Sequence, residues 1–190
     1  MTQKYLILIA VTSALMFSTV TAQAQPVDRS GSARAAMEKL RPLAGEWEMA
    51  VSSWRDGVWS EPEIERTRIS YFLNDLALRR EVPEHSPTNV KMETTIQFDQ
   101  YRNVYRMAAL DDSWGNMDIY EGQETETGTF VFDNIRTGTF AVGPQGEVFS
   151  FQLTIEIEDM NSHAMLVEIS TDNGKTWAPF QRLERTRLGT

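Results

Sequence analysis

Val148-Phe149-Ser150-Phe151-Gln152-Leu153-Thr154-Ile155-Glu156-Ile157-Glu158 is the stretch whose reading decides the fold. Phe149, Phe151, Leu153, Ile155 and Ile157 alternate with Ser150, Gln152, Thr154, Glu156 and Glu158. A period of two puts all the apolar side chains on one face of a strand and leaves the other face wet. Met92, Thr94 and Ile96 alternate in the same way between residues 91 and 97, and Met165, Val167 and Ile169 follow the same rule. Antiparallel sheets show this pattern, whereas parallel sheets covered on both sides read as unbroken apolar runs.

Turn signals separate such segments. They are Arg55-Asp56-Gly57, Leu73-Asn74-Asp75, Asp99-Gln100, Trp114-Gly115-Asn116, Gly143-Pro144-Gln145-Gly146 and Asp172-Asn173-Gly174. Their spacing predicts about nine to eleven short strands joined as a meander. A single sheet of that many strands with one wet face curls and closes, which removes its edges. The expected fold is therefore all-β: one antiparallel up-and-down β-barrel, with a β-sandwich as the runner-up. One short N-terminal helix precedes it. Ser32 is the expected N-cap, Met37 and Leu40 share a face, and Pro42 ends the helix.

Residues 1–24 read as a secretory signal peptide. Lys4 gives a positive start, residues 5–16 are almost wholly apolar, and Ala22-Gln23-Ala24 is a small-x-small cleavage site. Thr12, Ser13, Ser18, Thr19 and Thr21 dilute the run, so no membrane span is expected after cleavage. Residues 25–31 read as a tether and residues 32–190 as one domain. The mature chain holds about 165 residues, enough to bury a core without staples. There is no cysteine, which excludes disulfides and a lipid-modified cysteine. The formal charge of -9 becomes -10 once Lys4 is removed, and it disfavours nucleic acid and anionic lipid as partners. The expected location is periplasmic or secreted.

The segment Leu40-Arg41-Pro42-Leu43-Ala44-Gly45-Glu46-Trp47 resembles the Gly-x-Trp opening of lipocalin-type barrels. There a helical turn leads into the first strand and the Trp plugs the closed end. Phe98-Asp99-Gln100-Tyr101-Arg102-Asn103-Val104-Tyr105-Arg106 resembles a strand-turn-strand segment of a bacterial family of secreted, lipocalin-like (calycin-type) domains of unknown function. Leu110-Asp111-Asp112 and Asp118-Ile119-Tyr120-Glu121-Gly122 continue the likeness. So does the hairpin Ser170-Thr171-Asp172-Asn173-Gly174-Lys175-Thr176-Trp177, which leads into a last strand with Phe180 and Arg182. The resemblance covers most of residues 40–185. It implies a barrel and a small hydrophobic ligand, and it supplies no catalytic residue. It also implies that a C-terminal arginine, Arg182 or Arg185, packs over Trp47 by a cation–π contact. Haem-binding relatives of such barrels use a histidine on iron. No matching motif surrounds His85 or His163, so no cofactor is carried over.

The STDNGKTW segment resembles an Asp-box of sialidase propellers. A propeller needs several boxes and blades, and this chain is too short for them. Asp and Asn accept backbone N–H bonds in tight turns and Gly174 takes φ > 0, so the segment reads as a structural hairpin. Calcium needs six or more oxygens, which one turn does not offer. His85, between Pro83 and Pro87, and His163, after Met160-Asn161-Ser162, read as solvated loop residues. Two distant histidines without cysteine make a poor zinc site.

Three groups of residues are left as candidates. Asp111, Asp112, Asp118 and Glu121 are carboxylates close enough in sequence for acid–base work, or else polar turns of an acidic protein. Arg66 and Arg68 share one strand face with Ile64, Ser70 and Phe72, and Arg80 shares a face with Leu76, Leu78 and Val82. Inside a barrel such arginines need a carboxylate, from the protein or from a ligand. Outside, Glu63, Glu65 and Glu81 would match them. Trp47, Met49, Met92, Tyr105 and Met107 are apolar or aromatic and suit a cavity wall or a core. The expected ligand-binding set is thus Trp47, Met49, Arg66, Arg68, Met92, Tyr105 and Met107. The expected function is a binding barrel for a small hydrophobic or amphipathic molecule. A hydrolase or isomerase using carboxylates and arginines inside the barrel is the alternative.

Overall fold

Helix α1 (Ser30–Glu38) begins before Ser32, so Ser32 lies in its first turn and does not cap it. Nothing in Ser30-Gly31 blocks helical backbone, which lets the turn start early. Its buried side is Ala33 and Met37, continued by Leu40. Pro42 sits in a 3-10 turn, Arg41–Leu43, where its fixed φ fits and its missing N–H costs nothing. These features come from a computed structural model that describes residues 30–81, 91–112 and 115–189. The expected signal peptide, most of the tether, His85 and Trp114 lie outside the described residues.

The chain then runs through β1 (Gly45–Arg55), β2 (Val58–Trp59), β3 (Glu63–Phe72), β4 (Ala77–Arg80), β5 (Met92–Asp99) and β6 (Val104–Asp111). It continues through β7 (Met117–Glu126), β8 (Thr129–Asp133), β9 (Ala141–Val142), β10 (Val148–Ile157), β11 (Ser162–Ser170) and β12 (Ala178–Arg187). Each barrel strand pairs antiparallel with its neighbours in chain order, and β12 returns to β1. Ten strands close in this way, while β2 and β9 are short flaps on β1 and β10. The expected single antiparallel barrel is the fold, and the sandwich is not.

The tight turns follow their residue chemistry. Asp56 (φ 52°) and Gly57 (φ 83°) join β1 to β2, and Asn173 (φ 61°) and Gly174 (φ 78°) lie between β11 and β12. Inside, Phe151, Leu153 and Ile155 of β10 face Val167 and Met165 of β11, as their alternation requires.

One end of the barrel is packed solid. Tyr105 meets the rings of Phe98 and Phe130 edge-on at 5.0 and 5.2 Å, and Phe132 lies beside them. Gly122 makes room for that ring, because a Cβ there would sit 2.4 Å from Phe132. Helix α1 covers this end. The Tyr71 and Tyr105 hydroxyls donate to the carbonyls of Met37 and Ala36 at the end of the helix, which also accept the N–H groups of Leu40 and Lys39. Burial raises both phenol pKa values, that of Tyr105 to about 12, so both stay neutral donors.

The Gly-x-Trp opening closes the same end. Trp47 is fully buried, and its Nε1 donates to the Leu43 carbonyl at 3.0 Å. The arginine stacked on it is Arg187, with its guanidinium carbon 4.3 Å from the ring centroid. This corrects the expectation of Arg182 or Arg185. Register decides the matter, because Trp47 lies opposite Arg187 across the β1–β12 pair. Arg187 also donates to the Ala44 and Pro42 carbonyls, at 2.9 Å each. Gly45 permits this, since a Cβ there would lie 2.0 Å from Arg187 Nη1. Arg182 instead lies over Trp59 at 5.4 Å.

Candidate functional site

Above the packed end the barrel holds a cavity of about 340 Å³. Its size follows from the side chains pointing inward. Met49, Leu78, Ile96, Met107, Ala109, Leu153 and Ile155 supply much of the wall, and they do not meet across the middle. Met92 and Phe180 line it too and are partly exposed, so the cavity reaches solvent beside them.

Besides Asp111, Asn116 and Gln181, two buried polar clusters are set into this mostly apolar wall. The first lies where β3, β4, β11 and β12 face inward. Glu65 and Arg185 are the partners of Met49 on the two strands that flank β1. Both line the cavity and both are buried, as is His163, which lies opposite Arg185 on β11. Arg80 reaches across from β4. Its Nη2 lies 3.1 Å from Glu65 Oε1, its Nε bonds Thr67 Oγ1 at 3.3 Å, and its Nη1 donates to the Met92 carbonyl at 3.3 Å. Burial lowers the Arg80 pKa and Glu65 pulls it back up. Arg185 is in a different state. Its Nε has no hydrogen-bond partner. Burial, and then the neighbouring Arg80 charge, push its pKa down to about 9, with Glu65 opposing them. At neutral pH it remains a cation.

His163 stands between Arg185 and the closed end. Its ring meets Trp47 edge-on at 4.4 Å, and neither ring nitrogen has a hydrogen-bond partner. Burial, and then Arg185 and Arg187, lower its pKa to about 3, so the ring is neutral. This corrects the expectation of a solvated turn histidine. Strand β11 begins at Ser162, and His163 is in phase with Met165 and Val167.

The second polar group is on β7. Asp118 is buried on the cavity wall. It accepts from Tyr120 Oη at 2.6 Å, from Asn134 Nδ2 at 3.1 and 3.2 Å, and from the Thr139 hydroxyl. Asn134 is itself fixed, since its Oδ1 accepts the Phe151 N–H at 2.9 Å. Burial and the nearby Asp118 charge raise the Tyr120 pKa far above its ordinary value, which keeps that hydroxyl a donor. The network engages both carboxylate oxygens of Asp118.

The candidates named from sequence divide accordingly. Met49, Met92 and Met107 line the cavity. Trp47 and Tyr105 are buried without lining it, Tyr105 in the packed aromatic layer and Trp47 between His163 and Arg187. Arg66 and Arg68 are exposed on the outer face of β3, which corrects their placement inside the barrel. The reason is strand phase, because Glu65, Thr67, Ile69 and Tyr71 take the inward positions. Asp111 lines the cavity, whereas Asp112 accepts the Lys91 N–H at 2.9 Å and Glu121 lies 3.5 Å from Arg106. Arg185, expected from the resemblance only as a partner of Trp47, lines the cavity instead. Continuing the β12 alternation from Leu183 gives it, since Leu183, Arg185 and Arg187 fall on one face.

Comparison with known proteins adds little. No family model matches the chain, and no curated protein does. Among solved structures the chain is similar to the crystal structure of Rv2717c from M. tuberculosis, at 12% sequence identity and a TM-score of 0.42. The match covers 81% of this chain and 98% of that one, a likeness too distant to bear on ligand or activity.

Proposed function

We propose that this protein is a secreted or periplasmic barrel that binds a small, mostly hydrophobic molecule in its interior, within the lipocalin-like group its sequence resembles. The observation that carries the reading is the cavity of about 340 Å³ above a solid, helix-covered end. A dry void of this size costs on the order of 8 kcal/mol, at ~24 cal/mol per Å³. That rivals the whole stability of a domain, about 5–15 kcal/mol. The space is therefore filled, by water or by a ligand. A mostly apolar wall holds water poorly and an apolar molecule well. The charged start, apolar run and Ala-x-Ala site of residues 1–24 support export.

The hydrolase or isomerase reading has less support. It needs convergent carboxylates and arginines free to react. Arg66 and Arg68 face outward, and the Asp118 oxygens are engaged by Tyr120, Asn134 and Thr139. Native mass spectrometry of the protein purified from its own host tests the binding reading. A bound small organic molecule that is released on unfolding is the expected result. A bare chain that also takes up no apolar probe would overturn it.

A further inference from the structure

The charges that act on Arg185 do not cancel one another. Around Arg185 the groups that bear on it are Arg80 and Glu65, two guanidiniums against one carboxylate. Glu65 is already bonded to Arg80 at 3.1 Å, and that pair is tied further to Thr67 and to the Met92 carbonyl. Arg185 is 6% exposed, it lines the cavity, and its Nε lacks a partner. Next to it His163 is neutral, with both ring nitrogens unpartnered. Asp111 and Asp118 also line the cavity, but Asp118 is held by its own donors Tyr120 and Asn134, and neither carboxylate figures among the charges acting on Arg185.

An unpaired cation buried in an apolar wall is costly unless something meets it. We propose, resting on the binding reading above, that the ligand is an amphipathic monocarboxylate whose acid group enters first and is received by Arg185. A planar carboxylate matches the guanidinium fork with two parallel hydrogen bonds. One negative charge cancels the local excess of one, whereas a dianion such as a phosphate monoester would leave a surplus negative charge beside Glu65. The depth of Arg185 sets the orientation. It lies one inward position along β12 from Arg187, which covers Trp47 at the closed end. The apolar tail then runs past Met107 and Leu153 towards the opening at Met92 and Phe180.

Decanoate and decan-1-ol share a tail and differ in the charge of the head, so titration calorimetry of the delipidated protein with each isolates the acid group. The expected result is decanoate bound about tenfold or more tightly than decanol, and this preference lost in Arg185→Met. That variant removes an unpaired buried charge and keeps an unbranched side chain, so its melting temperature is not expected to fall. Arg185→Lys is the second variant. It keeps the charge without the fork, and the preference should shrink. Equal or tighter binding of decanol, or a preference unchanged in both variants, would overturn the inference and leave the apolar barrel standing. Failure of the wild-type protein to bind either probe would overturn both.

Discussion

His163 is a base buried in its uncharged form, and this links it to acid stability. In the unfolded chain its pKa is near the ordinary histidine value of about 6.5, and in the fold it is about 3. Between those values the unfolded state binds a proton that the native state refuses, so stability falls as pH falls, by at most ~1.4 kcal/mol per pH unit. Urea unfolding at pH 7 and pH 5 should show the wild type losing about 2 kcal/mol more than His163→Gln. Asp172 does not confuse this window, because its depressed pKa matters only as pH drops through the ordinary carboxylate value towards 2. Parallel losses in the two proteins would show that the ring titrates normally. The same residue marks where sequence reading ran short. Met160-Asn161-Ser162 looks like a turn, and it is one until Ser162, where β11 begins. Extending the alternation of Met165 back by two positions finds His163, just as extending Leu183 forward finds Arg185. A polar residue in an apolar register reads more readily as loop or surface, because burial of a charge is the rarer outcome.

Strands β10 and β3 show why some elements were legible and others were not. In β10 the apolar side chains from Phe149 to Ile157 all fall on one set of alternate positions, so its inner face is legible from sequence alone. In β3 both faces carry charge and both carry apolar groups. Glu65, Thr67, Ile69 and Tyr71 go inward, while Ile64, Arg66 and Arg68 go outward. A slip of one position exchanges the two sets, and hydropathy cannot choose between them. Partners choose instead, since Glu65 meets Arg80 only from inside. The β11–β12 connection shows the reverse case, in which local chemistry is enough. Asp172 Oδ1 accepts the N–H groups of Lys175 at 3.0 Å and Thr176 at 2.9 Å, and Oδ2 accepts the Thr176 hydroxyl at 2.8 Å. Ser170 Oγ accepts the Gly174 N–H at 2.9 Å. The Ser170, Asp172 and Thr176 side chains are spent on their own turn. Asp172→Ala should therefore speed amide hydrogen exchange at Lys175 and Thr176, and leave the amides of β10 and the binding of decanoate unchanged. A loss of binding in this variant would mean that the box reaches beyond its hairpin.

Across the whole molecule, closure turns a list of alternating strands into a site. Once β12 pairs with β1, every inward residue faces one enclosed space, and the only question is how much of it side chains fill. Strand count and alternation announced that space, but its contents depend on inward residues drawn from many strands at once. No single stretch of sequence encodes that sum, which is why the cavity was not legible while the barrel was. At the covered end Tyr105, Phe130 and Phe132 are large enough to meet. Above them Ala109 presents a single methyl group between Asp118 and Thr94, and the space stays open. If that openness exists to hold a ligand, filling it should cost binding and little else. Ala109→Phe places a ring in space that no side chain occupies. We expect decanol and decanoate each to bind about tenfold or more weakly, with the urea midpoint unchanged or higher, because new apolar contact replaces a void. Were the cavity only loose packing, the same variant would gain stability and take up both probes as before. Weaker binding of both probes together also separates this effect from that of Arg185, whose loss should weaken the acid and spare the alcohol.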